Sequence, residues 1–286
     1  IRHFHSWAGA ILQQNQETLP RYDRTIDDDE IDNLIGEKVI DVLNKIKSIR
    51  YDAILVDEAH LMHPTWLKAL TFALKDSQKG SLLIINDGSQ KLRRRKGFTW
   101  RSVGIAATGR TRVLTHNYRN TREIINSSWN ILSSLIGQKE IDKKDETFPV
   151  ITPEASKRKG KRPRLIITNS CSDIISQALI ECQKEIDLDR KPEEIGLLYN
   201  SNRNRVNGLI KESKNLLKNT NLYWVTESKE TKLSYNNNRK GIRLVTTQSA
   251  LGLEFKSVYL LWGNDFDQSY KEKDIHRLRE LYVAMT

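Results

Sequence analysis

A recurrent design constrains this chain most: a short apolar run that ends in polar residues and is followed by a helical pattern. The runs occupy residues 51–57, 81–87, 111–115, 164–168, 194–199, 241–246 and 256–262. Runs that are apolar throughout, rather than alternating, suit strands covered on both faces. Their alternation with helices predicts parallel sheets joined by helical crossovers, an α/β fold class. The clearest helices are expected over 28–49 and 65–74. The first carries Ile31, Leu34, Ile35, Val39, Leu43 and Ile46 on one stripe, and the second is opened by Pro64. Acidic residues crowd the start of the first helix, where the helix dipole favours them.

A length of 286 residues accommodates two lobes. We place them at 1–110 and 111–286, with the boundary near 109–112. No apolar run approaches the roughly 20 residues of a membrane helix, so a soluble protein without membrane contact is expected. The opening Ile1-Arg2-His3-Phe4-His5 has no leader pattern. Cys171 and Cys182 are the only cysteines and are spaced for one helix face, which points to a reducing, cytoplasmic setting without disulfides. The net charge of +11 is partly clustered in 93–96 and 157–164, as expected for a protein that meets a polyanion. Each basic run taken alone is equally a solvated loop. The stretches 152–163 and 229–240 both read as surface loops.

The strongest local signal is Ile54-Leu55-Val56-Asp57-Glu58-Ala59-His60, an apolar strand ending in adjacent carboxylates. Ligands of open α/β sheets sit beyond the carboxyl ends of the strands. There the two acids can divide the work, Asp57 holding Mg²⁺ and Glu58 activating a water for attack on a phosphate. By itself such a pair is also an ordinary polar turn. Downstream, Leu82-Leu83-Ile84-Ile85-Asn86-Asp87-Gly88-Ser89-Gln90 repeats the design with an amide, making Gln90 a candidate γ-phosphate sensor. Leu114-Thr115-His116-Asn117-Tyr118-Arg119-Asn120 then presents an arginine, whose guanidinium suits transition-state phosphate charge. Two further segments follow, 245–255 and 279–286.

In order and composition these segments resemble the motifs of the UvrD/Rep/PcrA family of superfamily 1 helicases, over nearly the whole chain. The resemblance implies two RecA-like (P-loop NTPase) lobes with parallel sheets, the first incomplete. It also implies ATP and Mg²⁺ as cofactors and single-stranded or partly duplex DNA as partner, with no stable protein partner. Carried over residue by residue, it makes Glu58, Gln90 and Arg119 catalytic, Asp57 the Mg²⁺ ligand, and Gly252 and Glu254 nucleotide contacts. The opening His3-Phe4-His5-Ser6-Trp7 resembles the family's Thr-Phe-His-Ser segment, which puts His5 on the DNA side. Thr247, Arg94 and Trp100 join it there, since positive charge with a stacking ring is how single strands are gripped. Trp7, Trp66, Trp129, Trp224 and Trp262 are expected in the core. The histidine pairs His3/His5 and His60/His63 lack companions at metal-ligand spacing.

The chain departs from the family at several points. The phosphate-binding loop G-x-x-x-x-G-K-[ST] is not in the sequence, so this chain alone is not expected to hydrolyse ATP. Leu251 and Gln248 stand where the family usually has lysine and histidine, and His3 replaces a threonine. The final segment stops at Thr286, one residue before the family's arginine. Only the short stretch 229–240 is available where relatives carry a large accessory domain. The expected function is an ATP-dependent DNA helicase or translocase motor fragment. The alternative is a catalytically inactive, helicase-derived nucleic-acid-binding or regulatory protein. A superfamily 2 helicase is a further reading of the Asp-Glu-Ala-His string, but the Asp-Gly-Ser-Gln and Asn-Tyr-Arg segments fit superfamily 1 better.

Overall fold

The computed structural model describes the chain apart from residues 1, 23–24, 78, 91–96, 137–147, 149, 155–156, 201–202, 236–238 and 267–274. It divides into two compact units, Ile1–Thr115 with Gln138–Thr152, and His116–Gly137 with Pro153–Thr286.

The first unit contains α1 (Phe4–Gln13), α2 (Asp28–Lys45), β1 (Ala53–Val56), α3 (Pro64–Phe72) and β2 (Ser81–Ile84). Helix α2 starts where the Asp27 side chain accepts the Asp29 N–H, with Asp28, Asp29 and Glu30 in its first turn. It ends at Lys45, short of the expected 49. The Arg50 guanidinium donates to the carbonyls of Leu43, Ile46 and Ile49, satisfying acceptors that the end of the helix leaves without an intrahelical donor. Ile31, Ile35, Val39, Val42 and Leu43 bury the helix against α1 and α3, while Leu34 lies off the stripe and is exposed. Trp66 Nε1 of α3 donates to the Asp32 carbonyl at 2.6 Å. Gly36 allows that approach, because a Cβ there would stand 2.3 Å from Thr65 Oγ1.

Strands β1 and β2 are parallel, with Leu55 opposite Leu83. Ile54, Val56, Leu82 and Ile84 turn one way, into a cluster with Leu67 and Val103. Leu55 and Leu83 turn the other way and are 74% and 52% exposed.

The second unit contains α4 (Arg122–Ile136), α5 (Cys171–Asp187), β3 (Ile195–Tyr199), α6 (Arg203–Leu216), β4 (Leu222–Trp224), α7 (Lys229–Leu233), β5 (Ile242–Thr246), β6 (Ser257–Leu260) and α8 (Ile275–Met285). Its sheet runs β4-β5-β3-β6, parallel throughout. The central strands β3 and β5 are buried almost residue by residue, as their continuous apolar runs require. Leu197, Tyr199 and Leu244 face a cluster that includes Leu179, Cys182, Val206 and Leu209. Leu198 and Val245 face the opposite cluster, with Tyr223, Phe255 and Ala284. Helix α5 is pinned to β6 by Glu185, which accepts from Ser257 Oγ and from Tyr259 Oη. Burial, reinforced by that bond to Glu185, raises the Tyr259 phenol well above its ordinary range.

Three further expectations are corrected. Residues 111–115 and 164–168 form no strand. Leu114, Leu165 and Ile167 are 91%, 87% and 86% exposed. An apolar run becomes a strand only where a neighbouring edge takes its hydrogen bonds, and run composition does not encode that edge. The polar stretch 229–240 is not all loop, because Ser228 accepts the Thr231 N–H and starts α7. Among the described residues no helix is long and apolar enough to cross a membrane.

Candidate functional site

In the first unit the polar ends of β1 and β2 lie side by side. After Val56 the chain turns sharply at Glu58, whose φ of 52° is left-handed, and enters a single 3-10 turn over Ala59–Leu61. The turn is held by the Glu58 N–H donating to Asp57 Oδ1 at 2.9 Å and the Ala59 N–H donating to the Ile85 carbonyl at 2.9 Å. His60, 1% exposed, sits between the two strand ends. Its Nδ1 accepts the Asp87 N–H at 3.1 Å, and its Nε2 lies 3.3 Å from Glu58 Oε2. An accepting Nδ1 leaves the neutral ring's proton on Nε2, facing the Glu58 carboxylate. Asp87 then receives the Ser89 N–H on Oδ1 and Gln90 Nε2 on Oδ2, at 2.9 and 3.0 Å. Asp57, Glu58 and Gln90 therefore lie in one constellation, in which hydrogen bonds join His60, Asp87 and Gln90 and a 3.3 Å contact brings His60 Nε2 to Glu58. Asp57 is exposed and the Glu58 side chain is 45% exposed, so both carboxylates face solvent.

The second unit brings together another set. Arg119 Nη2 lies 2.8 Å from Glu254 Oε1, joining the Asn-Tyr-Arg turn to the Gly-Leu-Glu-Phe segment. Both side chains are more than half exposed, and an ion pair in such a setting contributes only about 0–1 kcal/mol, so it opens easily. Gly252 has φ 79°, and a Cβ there would meet nothing within 4 Å, so backbone conformation rather than space requires the glycine. Helix α8 reaches both segments: Thr247 Oγ1 donates to Glu280 Oε1 at 2.7 Å, and Asn120 Nδ2 donates to the Thr286 carbonyl at 2.9 Å. Thr247 is 1% exposed, its hydroxyl turned inward. Gln248 is exposed and Leu251 half-buried.

The residues expected on the DNA side fall in several environments. His5 is half-buried in the first unit, edge-on to Trp66, with Nε2 2.8 Å from Tyr22 Oη. Tyr22 in turn donates to the buried Asp32. Trp100 is half-buried and packs edge-on against Phe98 and Phe148. Arg94 lies outside the described residues. Of the tryptophans expected in the core, Trp7, Trp66 and Trp262 are buried, and Trp129 and Trp224 half-buried.

Sequence reasoning passed over Tyr118, Arg158 and Glu280. Tyr118 is 80% exposed and stacks on His116 with centroids 6.1 Å apart, an aromatic surface beside Arg119. Its place directly before the arginine was the available signal. Arg158 sits within a basic run, and nothing in the sequence distinguishes Glu280 from a surface acid. Among the described residues no group of three or more His, Cys, Asp or Glu converges as a metal cage. No family model matches this chain, and no curated protein matches it.

Proposed function

We propose that this chain is a motor fragment of an ATP-dependent DNA helicase or translocase of superfamily 1, its units being RecA-like lobes. The observation that carries the reading is the constellation at the adjacent ends of β1 and β2, where the Asp57-Glu58 turn meets Gln90 by way of the His60 contact and the hydrogen bonds of His60 and Asp87. The buried His60 fixes the two strand ends together while both carboxylates of the turn stay open to solvent, where a ligand can reach them.

The residues fit a magnesium ion brought by a nucleotide. Mg²⁺ is characteristically held by one or two carboxylates together with phosphate oxygens, and Asp57 offers such a carboxylate. Bound there, the metal would neutralise phosphate charge. Glu58, oriented by His60, is placed to accept a proton from a water, and Gln90 offers an amide to position that water. Arg119 is the cation suited to γ-phosphate charge, and Tyr118 offers a ring on which a base can stack. The loop that cradles β- and γ-phosphates is not among these residues, so activity is assigned to the full-length protein. The excess positive charge suits single-stranded DNA as the track.

The full-length protein is expected to hydrolyse ATP in a DNA-stimulated manner. Glu58→Gln should lower kcat by roughly 10²–10⁴-fold, the usual contribution of a general base, with ATP binding retained. Unchanged turnover in Glu58→Gln would remove the role given to that residue. DNA binding without any nucleotide binding by the wild type would identify an inert, helicase-derived binding protein.

A further inference from the structure

The turn 158–160 lies in the basic stretch that composition reads as a solvated loop, yet its contacts are specific. Arg158 Nη1 donates to the Arg119 carbonyl at 2.7 Å and to the Tyr118 carbonyl at 3.4 Å. The Arg158 carbonyl accepts the Arg122 N–H at 2.8 Å, occupying one of the donors that the first turn of α4 leaves unsatisfied. The Gly160 N–H donates to Glu123 Oε2 at 2.8 Å. That bond and the carboxylate's bond to its own backbone N–H, the larger cause, hold Glu123 below the usual carboxylate range. Gly160 also closes on Thr121, since a Cβ at that position would lie 2.6 Å from Thr121 Cγ2.

A guanidinium at the start of a helix faces the positive end of the helix dipole. Its presence there is explained by the two carbonyls it bridges and by the acidic Glu123 in the first turn. The contacts bind the backbone of the Asn-Tyr-Arg turn and leave the Arg119 side chain to its exposed pairing with Glu254.

We propose that the turn 158–160 is a clasp that positions Arg119, with Arg158 and Gly160 as its working residues. The inference rests on the role given above to Arg119. It makes the backbone of that arginine rigid while the guanidinium alone moves between Glu254 and phosphate.

Hydrogen exchange of residues 117–124 in this chain tests the clasp directly. Arg158→Ala should accelerate exchange there roughly tenfold, the size of one charge-assisted hydrogen bond, with the amides of β3 and β5 unchanged. Arg158→Lys should restore part of the protection. Gly160→Ala should give the same acceleration by steric means, and adding Thr121→Ser, which removes the closest contact, should relieve part of it. In the full-length protein Arg158→Ala should lower kcat and leave the KM for ATP little changed, as displacement of a transition-state contact does. Unchanged exchange in both Arg158→Ala and Gly160→Ala overturns the clasp. So does faster exchange with normal turnover in Arg158→Ala, provided Arg119→Ala slows turnover. If Arg119→Ala turns over normally, the role of Arg119 fails, and this inference falls with it.

Discussion

Cys182 shows how far one side chain's chemistry is set by its neighbours. It is fully buried on α5, and burial first, then the nearby Glu185 and Glu181, push its thiol far above the ordinary range. Cys171 opens the same helix and is exposed. An aqueous thiol reagent should therefore modify one cysteine in the native protein and both after denaturation. Two fast-reacting thiols in the folded state would contradict the packing of α5. Glu58 is the other informative residue. A left-handed backbone costs a residue other than glycine roughly 1–2 kcal/mol, and here it aims a carboxylate away from the strand and toward His60. The identity of that acid was legible in the sequence; its orientation was not, because it depends on Asp87 and His60, which come from different strand ends.

At the scale of elements, glycines decide how closely segments approach. Gly196 on β3 faces the ring of Phe255, and a Cβ would stand 2.7 Å from its Cδ2. Gly196→Ala should cost about 1–3 kcal/mol, the usual range for overpacking, and displace the segment that carries Glu254. A lowered urea midpoint together with faster exchange near 253–256 is the expected result, and an unchanged midpoint would show that Phe255 moves freely. Strands β1, β2, β3, β5 and β6 were all legible as apolar runs, because each finds a parallel neighbour. The runs at 111–115 and 164–168 carry shorter apolar stretches bounded by Arg and Thr, and among the described residues they find no such neighbour. Strand β4, three residues long, carries too short a pattern to be read.

Across the whole molecule, each unit has a core of its own. Leu12 belongs to the cluster under α1 and α2, and Leu209 to the one between α6 and the four-stranded sheet. Leu12→Ala and Leu209→Ala should each cost about 2–5 kcal/mol, and exchange measurements should show the loss within the unit that holds the residue. Equal loss in both units from either substitution would mean that the chain unfolds as one cooperative body.

By itself the sequence determined the α/β class, most of the strands, and the residue types at the candidate site, because apolar runs and terminal polar groups are local properties of the chain. Only the tertiary structure decided that Glu58 meets His60, that Arg119 pairs with Glu254, that Thr247 turns inward to Glu280, and that Arg158 grips a distant turn. Except for Glu58 and His60, which are near neighbours and whose arrangement depends on the Asp87 N–H from the other strand end, those partnerships join residues well separated along the chain, and they exist only once packing has brought both ends together.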